Sequence, residues 1–200
     1  MRGSAAACGS RMKEKAMTIR RVIIVLAAVV VLGTAPVAPA QTLSSDVLQD
    51  WQRMKQIMMG IADAMPEDQL DYASTPEQRS FGEQILHVAG GNVMLMGFLG
   101  AEASGPSVDR RNTRTFGYTV TSKADILQAL SDSFDYGEAA LREFDDDSLL
   151  ERVAGPSFLG EPSRVRLVYF VIGHAWDIYG QMAVYLRLNG VVPPASRRGV

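Results

Sequence analysis

Apolar positions along this chain recur at the spacing of a helix, not of a strand. Val47, Trp51, Met54, Met58, Ile61 and Met65 follow one another at steps of four and three and define one continuous face. They predict a helix over 46–65, capped by Ser44 or Ser45 and stopped by Pro66. Thr75-Pro76-Glu77-Gln78 has the form of a capping box with proline at the first helical position. From there Phe81, Ile85, Val88, Asn92, Leu95 and Leu99 make one stripe, and Leu86, Ala89, Val93 and Met96 a second. A helix over 75–99 is predicted, buried round much of its circumference. Gly82, Gly90, Gly91 and Gly97 each cost it up to about 1 kcal/mol of helix propensity. Close approach of a neighbouring helix is the preferred explanation; room for a ligand is the other.

Residues 101–121 are rich in Gly, Pro, Ser, Asn and Arg. They exceed the usual helix–helix turn of about 2–8 residues and suggest a long crossover. Arg110, Arg111 and Arg114 cluster there and read as solvated surface. A third helix starts at Ser122 and turns Ile126, Leu130, Phe134 and Leu141 inward. Its expected end is Asp145-Asp146-Asp147, which lacks the alternating oxygen ligands and glycine turn of a calcium loop and reads as a solvated helix end. The fourth helix is predicted over 163–189, with Gly190 as its stop and Pro193-Pro194 beyond. Leu167, Val171, His174, Ile178, Gln181, Tyr185 and Leu188 form the cleanest seam in the chain. Trp51 and Trp176 are expected to pack, Met54, Met58 and Met59 to fill gaps, and Tyr185 and Arg187 to hold the bundle end. No useful length alternates with period two, so the fold class is all-α: a four-helix bundle with a long crossover connection between helices 2 and 3.

The beginning of the chain follows another logic. Thr18-Ile19-Arg20-Arg21 leads into an apolar run, Val22 to Leu32, and then small residues end in Ala38-Pro39-Ala40. A basic stretch, a short apolar stretch and an A-x-A site predict a signal peptide over 1–40, with Met17 as a candidate start and cleavage after Ala40. The run is too short to span a bilayer. Export to the periplasm or the medium is expected, by the general route in preference to the twin-arginine one. Loss of residues 1–40 takes six of the 20 bases and one of the 22 acids, leaving 14 against 21 and a net charge of −7. It also removes Cys8, the single cysteine. An acidic, cysteine-free domain suits an oxidising compartment and argues against nucleic acid or an anionic membrane as partner.

Candidate chemistry is sparse. There is no G-x-S-x-G, no phosphate loop, no H-E-x-x-H and no mature cysteine. What remains is His87 on the second helix and His174 on the fourth. Bundle cores build metal sites from facing helices, and imidazole suits zinc, nickel or iron. Glu83 lies one turn before His87 and Asp177 three residues after His174, as possible auxiliary donors. The plainer reading makes both histidines buried, hydrogen-bonded polar residues.

Four stretches carry a family likeness: 81–89 (FGEQILHVA), 122–127 (SKADIL), Gly173-His174 through Tyr179-Gly180-Gln181, and 184–196 (VYLRLNGVVPPAS). Together they resemble the DinB-like superfamily, in an exported branch. The resemblance implies a four-helix bundle and a divalent metal held by three histidines, one on the second helix and two lying four apart on the fourth. Family members include thiol-dependent transferases and metal-dependent hydrolases. By position His87 and His174 match two ligands; the third position is Ile178, which has no lone pair. The expectation is an exported bundle with a depleted, weakly metal-holding pocket that binds a small ligand or a protein partner, with no catalytic residue assigned. Two alternatives stay open: a metal-dependent hydrolase or thiol transferase-like enzyme whose shell is completed by a carboxylate or water, and a structural bundle, possibly a homodimer.

Overall fold

Five helices build residues 41–197, the part of the chain that the computed structural model describes. They are α1 (Leu43–Asp63), α2 (Phe81–Met96), α3 (Lys123–Leu141), the short α4 (Asp146–Leu150) and α5 (Arg164–Leu188). The expected signal peptide and its cleavage point lie outside the described residues. Among those residues there is no strand beyond a single bridge between Arg152 and Ser163, and no helix is long and apolar enough to cross a membrane.

Each long helix starts where a side-chain oxygen takes over an orphan backbone N–H. Thr42, Ser80, Ser122 and Ser163 all accept from the amide three residues on. Two starts differ from the sequence reading. α1 is capped by Thr42, not by Ser44 or Ser45, because its first turn is also held from outside. The Asp146 carboxylate accepts from the Leu43 and Ser44 amides (3.2 and 2.8 Å) and from the Ser44 hydroxyl (2.7 Å). The triple aspartate is therefore not the solvated end of the third helix. α3 stops at Leu141, Asp145 caps α4, and Asp146 caps α1.

The start of α2 is the second correction. Thr75 to Gln78 forms only a turn (Gln78 N–H to the Thr75 carbonyl, 3.1 Å). The capping box that operates is Ser80 with Glu83: the Glu83 amide donates to Ser80 Oγ, and the Ser80 amide to Glu83 Oε2. Both tetrapeptides fit the motif. What selects the later one is tertiary: the Leu70 and Tyr72 carbonyls accept from the Gly82 and Phe81 amides at 2.8 and 2.9 Å, satisfying first-turn donors that water would otherwise have to serve. α2 is buried at every position except Glu83, His87 and Met94, as its double stripe predicts.

α1 and α2 each pack against both α3 and α5, so the cyclic order round the bundle is α1, α3, α2, α5. Gly82 stands against Ile126 and Asn92 donates to Ser133, so α2 and α3 run parallel. Trp51 meets Phe134 and Lys123 meets Asp63, so α1 and α3 are antiparallel; Gln84 reaches Gln181, so α2 and α5 are too. Parallel neighbours joined in sequence require a return the length of a helix, which explains the crossover over 101–121. Two close approaches lock it. A Cβ on Gly137 would overlap the Trp51 ring, whose Nε1 donates to the Phe134 carbonyl at 2.8 Å. A Cβ on Gly90 would overlap Phe116, the buried residue of the crossover that adopts φ 53°.

α5 keeps the predicted span but not quite the predicted seam. Leu167, Val171, Ile178 and Tyr185 are buried; Leu188 is 59% exposed, and His174 and Gln181 lie at the margin of the buried face. Trp176 does not pack into the core: it is 47% exposed, stacks edge-on against Tyr179, and borders a groove of about 430 Å³ between α1 and α5.

Candidate functional site: a pair of imidazoles beside an arginine

The site forms where α2, α5 and the end of the crossover meet. α2 and α5 run antiparallel, which brings His87 level with His174. Their Nε2 atoms face each other at 3.0 Å, with ring centroids 5.0 Å apart and planes inclined by 62°. Gly91 makes room for this: a Cβ there would stand 3.2 Å from His174 Cε1. Of the four glycines expected in this helix, Gly82 and Gly90 thus serve close approach, Gly91 seats the His174 ring, and Gly97, just past the end of α2, has no tight neighbour.

Hydrogen bonding sets the tautomers. The Thr113 carbonyl accepts at 2.8 Å from His87 Nδ1, which must therefore carry the proton. His87 Nε2 is then a lone pair, and the proton between the rings belongs to His174 Nε2. His174 Nδ1 is left as a buried acceptor without a partner among the described residues. Burial, then Arg79 and the neighbouring His174, push the His87 pKa down to about 4. Burial also lowers that of His174, against an opposing pull from Asp177. Both rings are neutral at physiological pH.

Arg79 is the residue that sequence reasoning missed. It is half-buried just ahead of the α2 cap, and its Nη2 and Nε donate to the Thr113 and Arg114 carbonyls, both at 3.2 Å. Thr113 O thus bridges the guanidinium and the His87 ring. The Arg79 carbonyl accepts from the Tyr185 hydroxyl at 3.0 Å, and Tyr185 stacks edge-on against Tyr72, which ties this end of the bundle as expected of it. Nothing in the periodicity marks Arg79. Its neighbour in space, Arg114, belongs to the basic cluster, but is not free surface: it bonds Glu83 Oε1 at 2.6 Å and the Gln78 carbonyl at 2.7 Å. Arg110 lies over the Phe98 ring.

The auxiliary donors do not join the pair. Glu83 spends one carboxylate oxygen on Arg114 and the other on the Ser80 amide, which holds its pKa below the usual range. Asp177 is exposed and accepts from Gln181 at 3.1 Å; Gln181 in turn accepts from the fully buried Gln84 at 2.9 Å. Ile178 is 2% exposed, inside the apolar core. Among the described residues no three His, Cys, Asp or Glu side chains lie together as a metal-holding group.

Comparison with known proteins fits this fold. A family model described as the DinB superfamily matches residues 50–182. The chain belongs to the DinB superfamily. Among solved structures, this DinB chain is similar to a DinB-like protein from Bacillus cereus ATCC 10987, with a TM-score of 0.64, 20% identity, and coverage of 80% of this chain and 98% of that one. It is also similar to an uncharacterised protein from Escherichia coli UTI89, with a TM-score of 0.54, 15% identity, and coverage of 76% and 96%. At these identities the likeness is one of fold. No curated protein matches the chain.

Two imidazole nitrogens on one tetrahedral zinc stand roughly 3.3 Å apart, given Zn–N bonds of about 2.0–2.1 Å. The His87–His174 spacing of 3.0 Å is near that edge, and the Thr113 carbonyl behind His87 is the kind of backing that fixes a ligating ring. The remaining corners are missing. The position that the resemblance gives to a third ligand, Ile178 on α5, is a hydrocarbon, the nearby carboxylate on α2 is committed elsewhere, and a guanidinium stands beside the rings. These residues do not fit a complete metal centre.

Proposed function

We propose that this DinB protein is an exported binding protein for a small ligand, in which the metal centre of its superfamily is reduced to a pair of neutral imidazoles. The observation that carries the reading is the His87–His174 contact itself: two ring nitrogens facing each other at 3.0 Å, with Ile178 in place of a third donor. Buried imidazoles in contact, backed by a carbonyl and flanked by a guanidinium, form a polar site in an otherwise apolar bundle. A divalent cation such as zinc, nickel or iron is held there only weakly, and no strong catalysis follows from a site with two of three donors.

Metal analysis of protein purified without chelator tests the reading. Well below one equivalent of metal, and an unchanged melting temperature on adding zinc or nickel, are expected. Ile178→His places a third imidazole four residues after His174 on the same helix face. It should strengthen zinc or nickel binding by several kcal/mol, a fraction of the roughly 10–16 kcal/mol of a complete structural zinc site. One equivalent of tightly bound metal in the unaltered protein would refute the depleted centre. Export is tested separately: the mature protein should begin at Gln41.

A further inference from the structure

Arg79 is an unusual residue to leave as it stands. It is a half-buried cation, and none of the five ion pairs among the described residues includes it. Two of its three guanidinium nitrogens are held by carbonyl oxygens, and Nη1 finds no partner among the described residues. Partial desolvation of a guanidinium carries part of the cost of burying a charge, and a bound anion offsets it. The charge that would compensate Arg79 is spent: Glu83 bonds Arg114 and the Ser80 amide. The backbone meanwhile fixes the guanidinium in place, since Thr113 O receives Arg79 Nη2 at 3.2 Å and His87 Nδ1 at 2.8 Å.

We infer that Arg79, held beside the His87–His174 pair by the Thr113 and Arg114 carbonyls, is the recognition site for the carboxylate of a small ligand. This rests on the ligand-binding reading above and names its ligand class. The charge inventory favours a monoanion. Arg79 supplies one positive charge that belongs to none of the ion pairs among the described residues, while Arg114 is paired with Glu83. Asp177, near His174, and Glu83, near Arg79, would repel a dianion. A guanidinium presenting N–H groups in a fixed fork matches the planar oxygens of a carboxylate.

The test is an NMR titration of the isotope-labelled full protein with benzoate, with inorganic phosphate as a second arm. Benzoate is expected to give saturable shifts at the Arg79 Nε–H, the Thr113 and Arg114 amides and both imidazoles, and phosphate to compete poorly. Arg79→Gln should weaken benzoate binding roughly tenfold or more, the loss of a charge-assisted pair, and Arg79→Lys less. No saturable shift up to about 50 mM benzoate, where even a weak site would show, would overturn the inference. So would equal binding by a folded Arg79→Gln, or tighter binding of phosphate. If Arg79→Gln loses its fold with the two carbonyl bonds, the shift map of the unaltered protein decides alone: saturable shifts centred away from residues 79, 113 and 114 also overturn it. Zinc titration of the same samples separates the two proposals. Tight zinc binding by the unaltered protein refutes the depleted centre, whereas weak zinc with no benzoate binding refutes only the Arg79 site.

Discussion

A histidine on a buried helix face carries little information until its partner is known, and here the partner is another histidine. Burial, more than their contact, makes both rings weaker bases. The unfolded chain takes up a proton on His87 near pH 6.5, the folded chain only near pH 4. Stability from this group is therefore complete above about pH 6.5 and drains away as the pH falls to 4, because the unfolded state binds the proton first. The loss should be about 1–2 kcal/mol, less than the full shift implies because the ring is half-exposed and screened. Urea unfolding at pH 7, 5.5 and 4.5 checks this, and His87→Gln should flatten that limb. A second residue-scale prediction concerns Gly90. Its missing side chain is the notch for Phe116, so Gly90→Ala should destabilise the protein by about 1–3 kcal/mol through overpacking, despite alanine's better helix propensity. Thermal unfolding reads that loss directly.

Elements are decided by competition among local signals. Thr75 and Ser80 both open a capping motif, and sequence reasoning chose the one with the added proline. The Leu70 and Tyr72 carbonyls chose the other, by meeting the amides of Gly82 and Phe81. Ser80→Ala should cost about 1 kcal/mol of stability, the usual worth of such a cap, and Thr75→Ala no more than a few tenths. Paired chemical denaturation of the two variants separates the alternatives. The aspartate run over 145–147 teaches the same lesson: its composition says solvated, but one carboxylate reaches across the bundle to Ser44. No local pattern encodes a partner about a hundred residues away.

At the scale of the molecule, the order α1, α3, α2, α5 with α2 parallel to α3 makes one interior from four helices, and the crossover is what that order requires. Where the interior lies was mostly legible: every apolar position assigned to the inner faces of α1, α2 and α3 is buried. α5 is the exception, since its buried face is turned from the predicted seam toward Val168, Ile172, Ala175 and Met182. Leu130→Ala should therefore cost about 2–5 kcal/mol, whereas Leu188→Ala should stay within roughly 0.5 kcal/mol, because only the first removes fully enclosed atoms. Equilibrium unfolding with an unchanged denaturant slope is the measurement.

The sequence by itself determined the helical class, the need for a long connection after the second helix and the placing of its two histidines on two different helices. These follow from periodicity and residue type, which are local properties. Only the tertiary structure decided that the two rings touch, that Glu83 is spent on Arg114 and a backbone amide, and that Arg79 stands beside them in none of the ion pairs among the described residues. The Thr113 carbonyl that joins His87 to Arg79 comes from an irregular connection, positioned by Phe116 in the notch of Gly90. A residue in such a segment has no period to betray its neighbours; its place is fixed by packing against helices remote from it in the chain.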